Sequence, residues 1–197
     1  MLPFSAERAG RRGPKAVLVS LGAPERELLL RLLEELQELL DDGSSDTPVD
    51  PLAELTGMSG VEGPVAPPED PALARLLPDG NRDDPELAQE YRRLTEFGLR
   101  ARKRSAAATA AEALHRSAPV VLAPDEAQCL LKSMTDLRLV FGERLHLKTD
   151  EDAEALHQRL MGWGDEPETE EWLSAAAQYE LLTVWQEYLV EAVSQAR

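Results

Sequence analysis

Cysteine is almost missing from this chain: Cys129 stands alone among 197 residues. An intramolecular disulfide is therefore excluded, and a thiol-rich metal site with it. Aromatic residues make up only 5 %, so the core has to be built mostly from Leu, Ala and Val. The three histidines, His115, His146 and His157, have no metal-ligand spacing and no second cysteine beside them. No apolar run approaches the length of a membrane span, and Met1–Gly10 lacks the apolar core of a secretory leader. These absences predict a cytoplasmic protein without a membrane role. There is no glycine-rich phosphate loop followed by Lys-Ser/Thr, no nucleophile elbow and no ordered Ser/His/Asp set. Asp150-Glu151-Asp152-Ala153-Glu154 lacks the glycine and alternating ligands of a calcium loop and reads as an acidic helix start. No catalytic residue, cofactor or metal is expected, and an enzyme is the least favoured class.

Cations are the minority charge. Lys and Arg total 21 against 37 Asp and Glu, a net −16. That field disfavours general binding to a phosphate backbone and favours basic partners. The apolar share of 43 % and charged share of 29 % are ordinary for a globular chain long enough to bury a sizeable core.

The cations that are present are concentrated. Arg92, Arg93, Arg100, Arg102, Lys103 and Arg104 oppose only Glu96 within a thirteen-residue stretch. Asp84 can cap a helix there, with Pro85 at its first position, and nothing but Gly98 interrupts it before His115. Its length comes to ~45 Å at 1.5 Å per residue. Leu87, Tyr91, Leu94, Gly98, Ala101, Ser105, Ala108, Glu112 and His115 recur at helical spacing and predict a narrow buried seam. Arg93, Arg100 and Arg104 then form a column at the edge of that seam. Arg92 and Lys103 lie on the back, and Arg102 on the other flank. Two readings compete for these cations. One is a solvated face paired locally with Glu90, Glu96 and distant acids. The other is a docking surface for an acidic segment or for DNA, aided by the arm that precedes the first strand.

The remaining elements are simpler. Residues 1–15 read as a mobile basic arm carrying Arg8, Arg11, Arg12 and Lys15. Residues 16–197 read as a single helical domain, with 42–70 a Pro/Gly-rich loop or linker. Ala16–Leu21 is a strand candidate, followed by a helix over Arg26–Leu40 with Leu29, Leu32, Leu33, Leu36 and Leu40 on one face. Asp70–Leu77 is a short capped helix turning Leu73, Leu76 and Leu77 inward. Ala118–Leu122 is a second strand, followed by Pro124 and a helix to about Phe141. Val19/Val120, Leu29/Leu130, Leu33/Met134 and Leu36/Leu137 match at one constant offset. They suggest an internal pseudo-repeat whose strands pair, with coincidence as the competing reading. Thr149 with Asp152 resembles a capping box for a helix through Leu160. Glu170–Ala196 is the last helix, with Leu173, Ala176, Ala177, Leu181, Val184, Trp185, Tyr188, Leu189 and Ala192 expected on its buried face. The fold class is mainly α: a helical bundle with at most a short two-stranded β ribbon. Cys129 lies early in the helix after Pro124. It is either a small buried apolar residue or a redox-sensitive thiol.

Three motifs carry a family resemblance. Asp70-Pro71-x-Leu73-Ala74-Arg75-Leu76-Leu77-Pro78-Asp79, Arg82-Asp83-Asp84-Pro85-Glu86 and Tyr91-Arg92-Arg93-Leu94-Thr95 resemble the core of an actinobacterial family named after the oxidative-stress transcriptional regulator AosR. The likeness continues through Asp136–Leu145 and the terminal helix with Trp185-Gln186-Glu187. The resemblance implies a helical, redox-responsive regulator of transcription whose partner is a stress sigma factor or RNA polymerase. Because Cys129 is alone, a redox response would need an intermolecular disulfide, a sulfenic acid or a mixed disulfide. The competing reading is a constitutive interaction adaptor or a self-assembling homodimer with no DNA role.

Overall fold

The computed structural model describes residues 2–8, 15–41, 65–81, 83–162 and 169–196. Their order is β1 (Phe4–Arg8), β2 (Lys15–Val19), α1 (Ala23–Leu39), α2 (Pro71–Leu76), α3 (Pro85–His115), β3 (Val120–Leu122), α4 (Pro124–Arg144), α5 (Asp150–Leu160) and α6 (Glu170–Gln195). The protein is mainly α.

Two expectations need correction. The sheet has three strands, in the order β1-β2-β3, all antiparallel. The added strand comes from the segment read as a mobile arm. Phe4, Val19 and Val120 form one row across the sheet and are almost wholly buried. The Phe4 ring in the core is what holds β1 in place, since the segment FSAER has little strand propensity of its own. Residues 9–14, with Arg11 and Arg12, lie outside the described set, as do residues 42–64 of the Pro/Gly-rich stretch.

Every helix starts on a recognisable cap. Asp70 accepts from Ala72 N–H at 2.8 Å, and Asp84 accepts from Glu86 N–H at 3.0 Å and Leu87 N–H at 3.1 Å. Proline follows at the first helical position in both. Helices α1 and α4 follow Gly22 and Ala123, which have no capping side chain. There Glu25 and Glu126 reach back to accept from the Gly22 and Ala123 N–H groups at 2.6 and 2.8 Å. Those two cap residues share a backbone conformation, φ −64°/ψ 167° and φ −65°/ψ 161°. They also sit at the same offset as Val19 and Val120, which lie directly opposite each other in the sheet. Pairing of equivalent residues is what a local twofold between two strand–helix units requires, and Leu29/Leu130 and Leu33/Met134 are equivalently buried.

The core gathers β1–β3, α1, α2, α3, α4 and α6. Leu29, Leu32, Leu33, Leu36 and Leu40 are each at most 1 % exposed, as the stripe predicted. Each fully buried leucine contributes about 1.5–3 kcal/mol through loss of apolar surface from water. A satellite cluster of Leu145, Leu156 and Ala176 attaches α5 to α4 and α6.

The inner face of α3 also departs from expectation. Leu87 and Tyr91 are about half exposed, and Ala101, Ser105, Glu112 and His115 face solvent. The buried row is Ala88, Arg92, Gly98, Ala107, Ala110, Ala111, Ala113 and Leu114. Tyr91 instead covers the turn at Gly80, where an added Cβ would lie 2.1 Å from its Cδ1. On α6, Ala176, Trp185, Leu189 and Ala192 are buried as predicted, but Leu173, Ala177 and Val184 are exposed.

Candidate functional site

The first half of α3 is where the sequence concentrated its cations, and the helix turns most of them toward the protein. Arg92, Glu96 and Arg100 stand one turn apart in a single row. Arg92 is only 6 % exposed. Its guanidinium donates to Glu96 at 2.5 Å, to Asp79 at 2.6 Å and to the Leu77 carbonyl at 3.3 Å. Arg100 donates to the other oxygen of Glu96 at 2.7 Å and to the Leu40 carbonyl at 3.5 Å. One carboxylate thus serves two guanidiniums, and those guanidiniums reach the C-terminal carbonyls of α1 and α2.

The neighbouring cations follow the same pattern. Arg104 pairs with Asp41, just past α1, at 3.3 Å. Lys103 crosses to Asp136 of α4 at 2.5 Å, and Asp136 is 6 % exposed. Arg93 forms a bidentate pair with Glu90, at 2.7 and 2.8 Å. Arg102 is exposed. All five candidate binding cations, Arg92, Arg93, Arg100, Lys103 and Arg104, therefore have carboxylate partners inside the chain.

The electrostatics follow from this geometry. Burial pulls the Arg92 pKa down, but hydrogen bonds to Asp79 and Glu96 outweigh it, and the value ends above that of an ordinary arginine. The hydrogen bond from Arg93 holds the Glu90 carboxyl below the usual range, against a small opposing desolvation. The same bond raises Arg93.

The sequence reading of Glu90 and Glu96 as local partners of the cations holds, but Asp79 and Asp136 were missed. A signal was present for one of the two, since Asp136 interrupts the apolar face formed by Met134 and Leu137. Nothing local to Asp79 marks it.

Cys129 is half-buried on α4, and its carbonyl accepts from Ser133 Oγ at 2.9 Å. His157 Nδ1 lies 3.4 Å from Glu180, and His115 Nε2 lies 3.9 Å from Glu34. Among the described residues no three metal-ligating side chains converge, and no helix is long and apolar enough to cross a membrane.

Fold and site together define a mainly α-helical protein whose basic helix is neutralised from within. The chain belongs to the family described as a domain of unknown function, DUF2017, whose model matches residues 1–193. It is an AosR-like member of it. The oxidative stress regulator AosR of Mycobacterium tuberculosis strain H37Rv is 33 % identical over 195 residues, covering 91 % of this chain and 83 % of the relative. The protein of the same name from Mycobacterium bovis matches to the same extent. No solved structure is significantly similar.

Proposed function

We propose that this chain is a non-enzymatic, cytoplasmic regulator of stress-responsive transcription that works through a protein partner, a sigma factor or RNA polymerase. The regulatory class comes from relatives named as oxidative stress regulators over most of their length. One observation favours a protein partner over DNA. Arg93, Arg100 and Arg104, which would have to reach phosphates, are engaged with Glu90, Glu96 and Asp41. Releasing them would expose those carboxylates in a molecule that already carries −16. The described elements act as one unit in this reading, because one core cluster reaches from Phe4 of β1 to Ala192 of α6. An oxidant signal would enter at Cys129 alone, as a sulfenic acid, a mixed disulfide or an intermolecular disulfide.

The test is affinity recovery of the tagged protein from a native-host lysate, with and without oxidant, beside Cys129→Ser. RNA polymerase or a sigma factor recovered only with oxidant, and only with Cys129 present, is the expected result. The same partner recovered regardless of both makes the chain a constitutive adaptor and returns Cys129 to packing. Recovery that depends on added DNA would overturn the protein-partner reading.

A further inference from the structure

Helix α6 buries one apolar face and leaves three large apolar side chains exposed among glutamates on its outer side. Leu182, Trp185, Leu189 and Ala192 bury against the core. On the opposite side Leu173, Val184 and Val190 are 39, 44 and 48 % exposed. Helix α5 packs on the first half of this side, through Ala176 and the pair of His157 with Glu180. Beyond it a groove of about 620 Å³ lies between Arg138 of α4 and residues 186–195, with Val190 on its wall.

The charges on this side select the occupant. Glu170–Gln195 contains five glutamates and no lysine or arginine. Glu187 and Glu191, one turn apart, line the groove beside Val190. A second copy of the chain would set acid against acid in a molecule of net −16. A cationic segment gains from the same field. Arg138 donates through Nη1 to Gln186 at 2.7 Å, and its guanidinium lies over the Tyr179 ring at 5.5 Å from the centroid, which fixes it as one wall of the groove.

We infer that the outer face of α6, with the Arg138 groove, is the docking surface for an amphipathic helix of a partner protein that carries Lys or Arg beside an apolar stripe. This rests on the protein-partner reading above and names the face and the partner's chemistry.

The probe is a labelled synthetic peptide of about 18 residues, long enough for several helical turns, with Leu at helical i, i+3, i+4, i+7 spacing and Lys elsewhere. Fluorescence anisotropy at about 150 mM salt suppresses distant charge effects. Saturable binding to the full chain is expected. It should weaken about ten-fold or more in Val184→Ser/Val190→Ser and in Glu187→Lys/Glu191→Lys. It should stay within about two-fold of wild type in Glu112→Lys/Glu151→Lys, which alters acids elsewhere on the surface. Circular dichroism checks that each variant is folded. A Leu/Lys-scrambled peptide that binds equally well, or equal loss in the control pair, would overturn the inference in favour of general charge attraction. A concentration-dependent dimer in light scattering, lost in Val184→Ser/Val190→Ser, would assign the face to a second copy and overturn it as well. If the face variants recover the lysate partner as well as wild type does, this surface is wrong and the protein-partner reading stands. If wild type recovers no partner at all, that reading is the one that fails.

Discussion

Glu96 is 13 % exposed and holds two guanidiniums, one of them 5 % exposed. Removing one member of a buried ion pair leaves the other charged and desolvated, and typically costs about 3–5 kcal/mol. Glu96→Gln is therefore expected to lower the stability by about 3 kcal/mol, read as a shift of the urea midpoint at constant slope. Arg93→Gln, which breaks the outlying pair with Glu90, should leave that midpoint in place. Equal losses in both variants would mean that the row through Glu96 is no more than surface charge. At this scale the sequence was half legible. That the cations were anomalous could be read from composition. That Arg92 faces inward could not, because Asp79 is 13 residues away and reaches it only through the turn after α2.

Element boundaries were far more legible, since caps and prolines act locally. Asp70, Asp84 and Thr149 cap the helices they were expected to cap. The α5 cap makes a prediction about pH. Asp152 accepts from the Lys148 and Thr149 backbone N–H groups at 2.8 and 2.9 Å, which holds its carboxyl below the ordinary value. A depressed folded value stabilises above the unfolded pKa of about 3.9, and that contribution is lost as the pH falls from there through the folded value. An NMR titration should place the Asp152 midpoint below that of a free aspartate, with the Thr149 amide following the same curve. Asp152→Asn should remove that response. A midpoint at or above the free value would mean that the box is not formed in solution. What eluded reading at this scale were β1 and the seam of α3. A five-residue strand owes its existence to its neighbour, and the α3 seam looked apolar only while Arg92 was assumed to face water.

At the scale of the whole molecule the dominant fact is charge. The chain carries a net −16, whereas the pairs of Glu96 with Arg92 and Arg100 and of Lys103 with Asp136 are shielded by burial. Salt screens the exposed repulsion over about 10 Å at 0.1 M and affects buried pairs less. The melting temperature should therefore rise by several degrees between about 10 mM and about 200 mM salt. A fall would show that exposed pairs such as Arg144–Asp70 and Arg104–Asp41 carry the stability instead.

By itself the sequence determined the class of fold, the helix starts, the leucine face of α1, the exclusion of an intramolecular disulfide and the family. Each of these follows from neighbours within a few turns, from composition, or from motifs that remain recognisable without a structure. Only the tertiary structure decided which way the basic helix points and that the N-terminal segment is a strand. Those outcomes depend on pairings between residues far apart in the chain, such as Lys103 with Asp136 and Phe4 with Val19. Local periodicity carries no information about such partners.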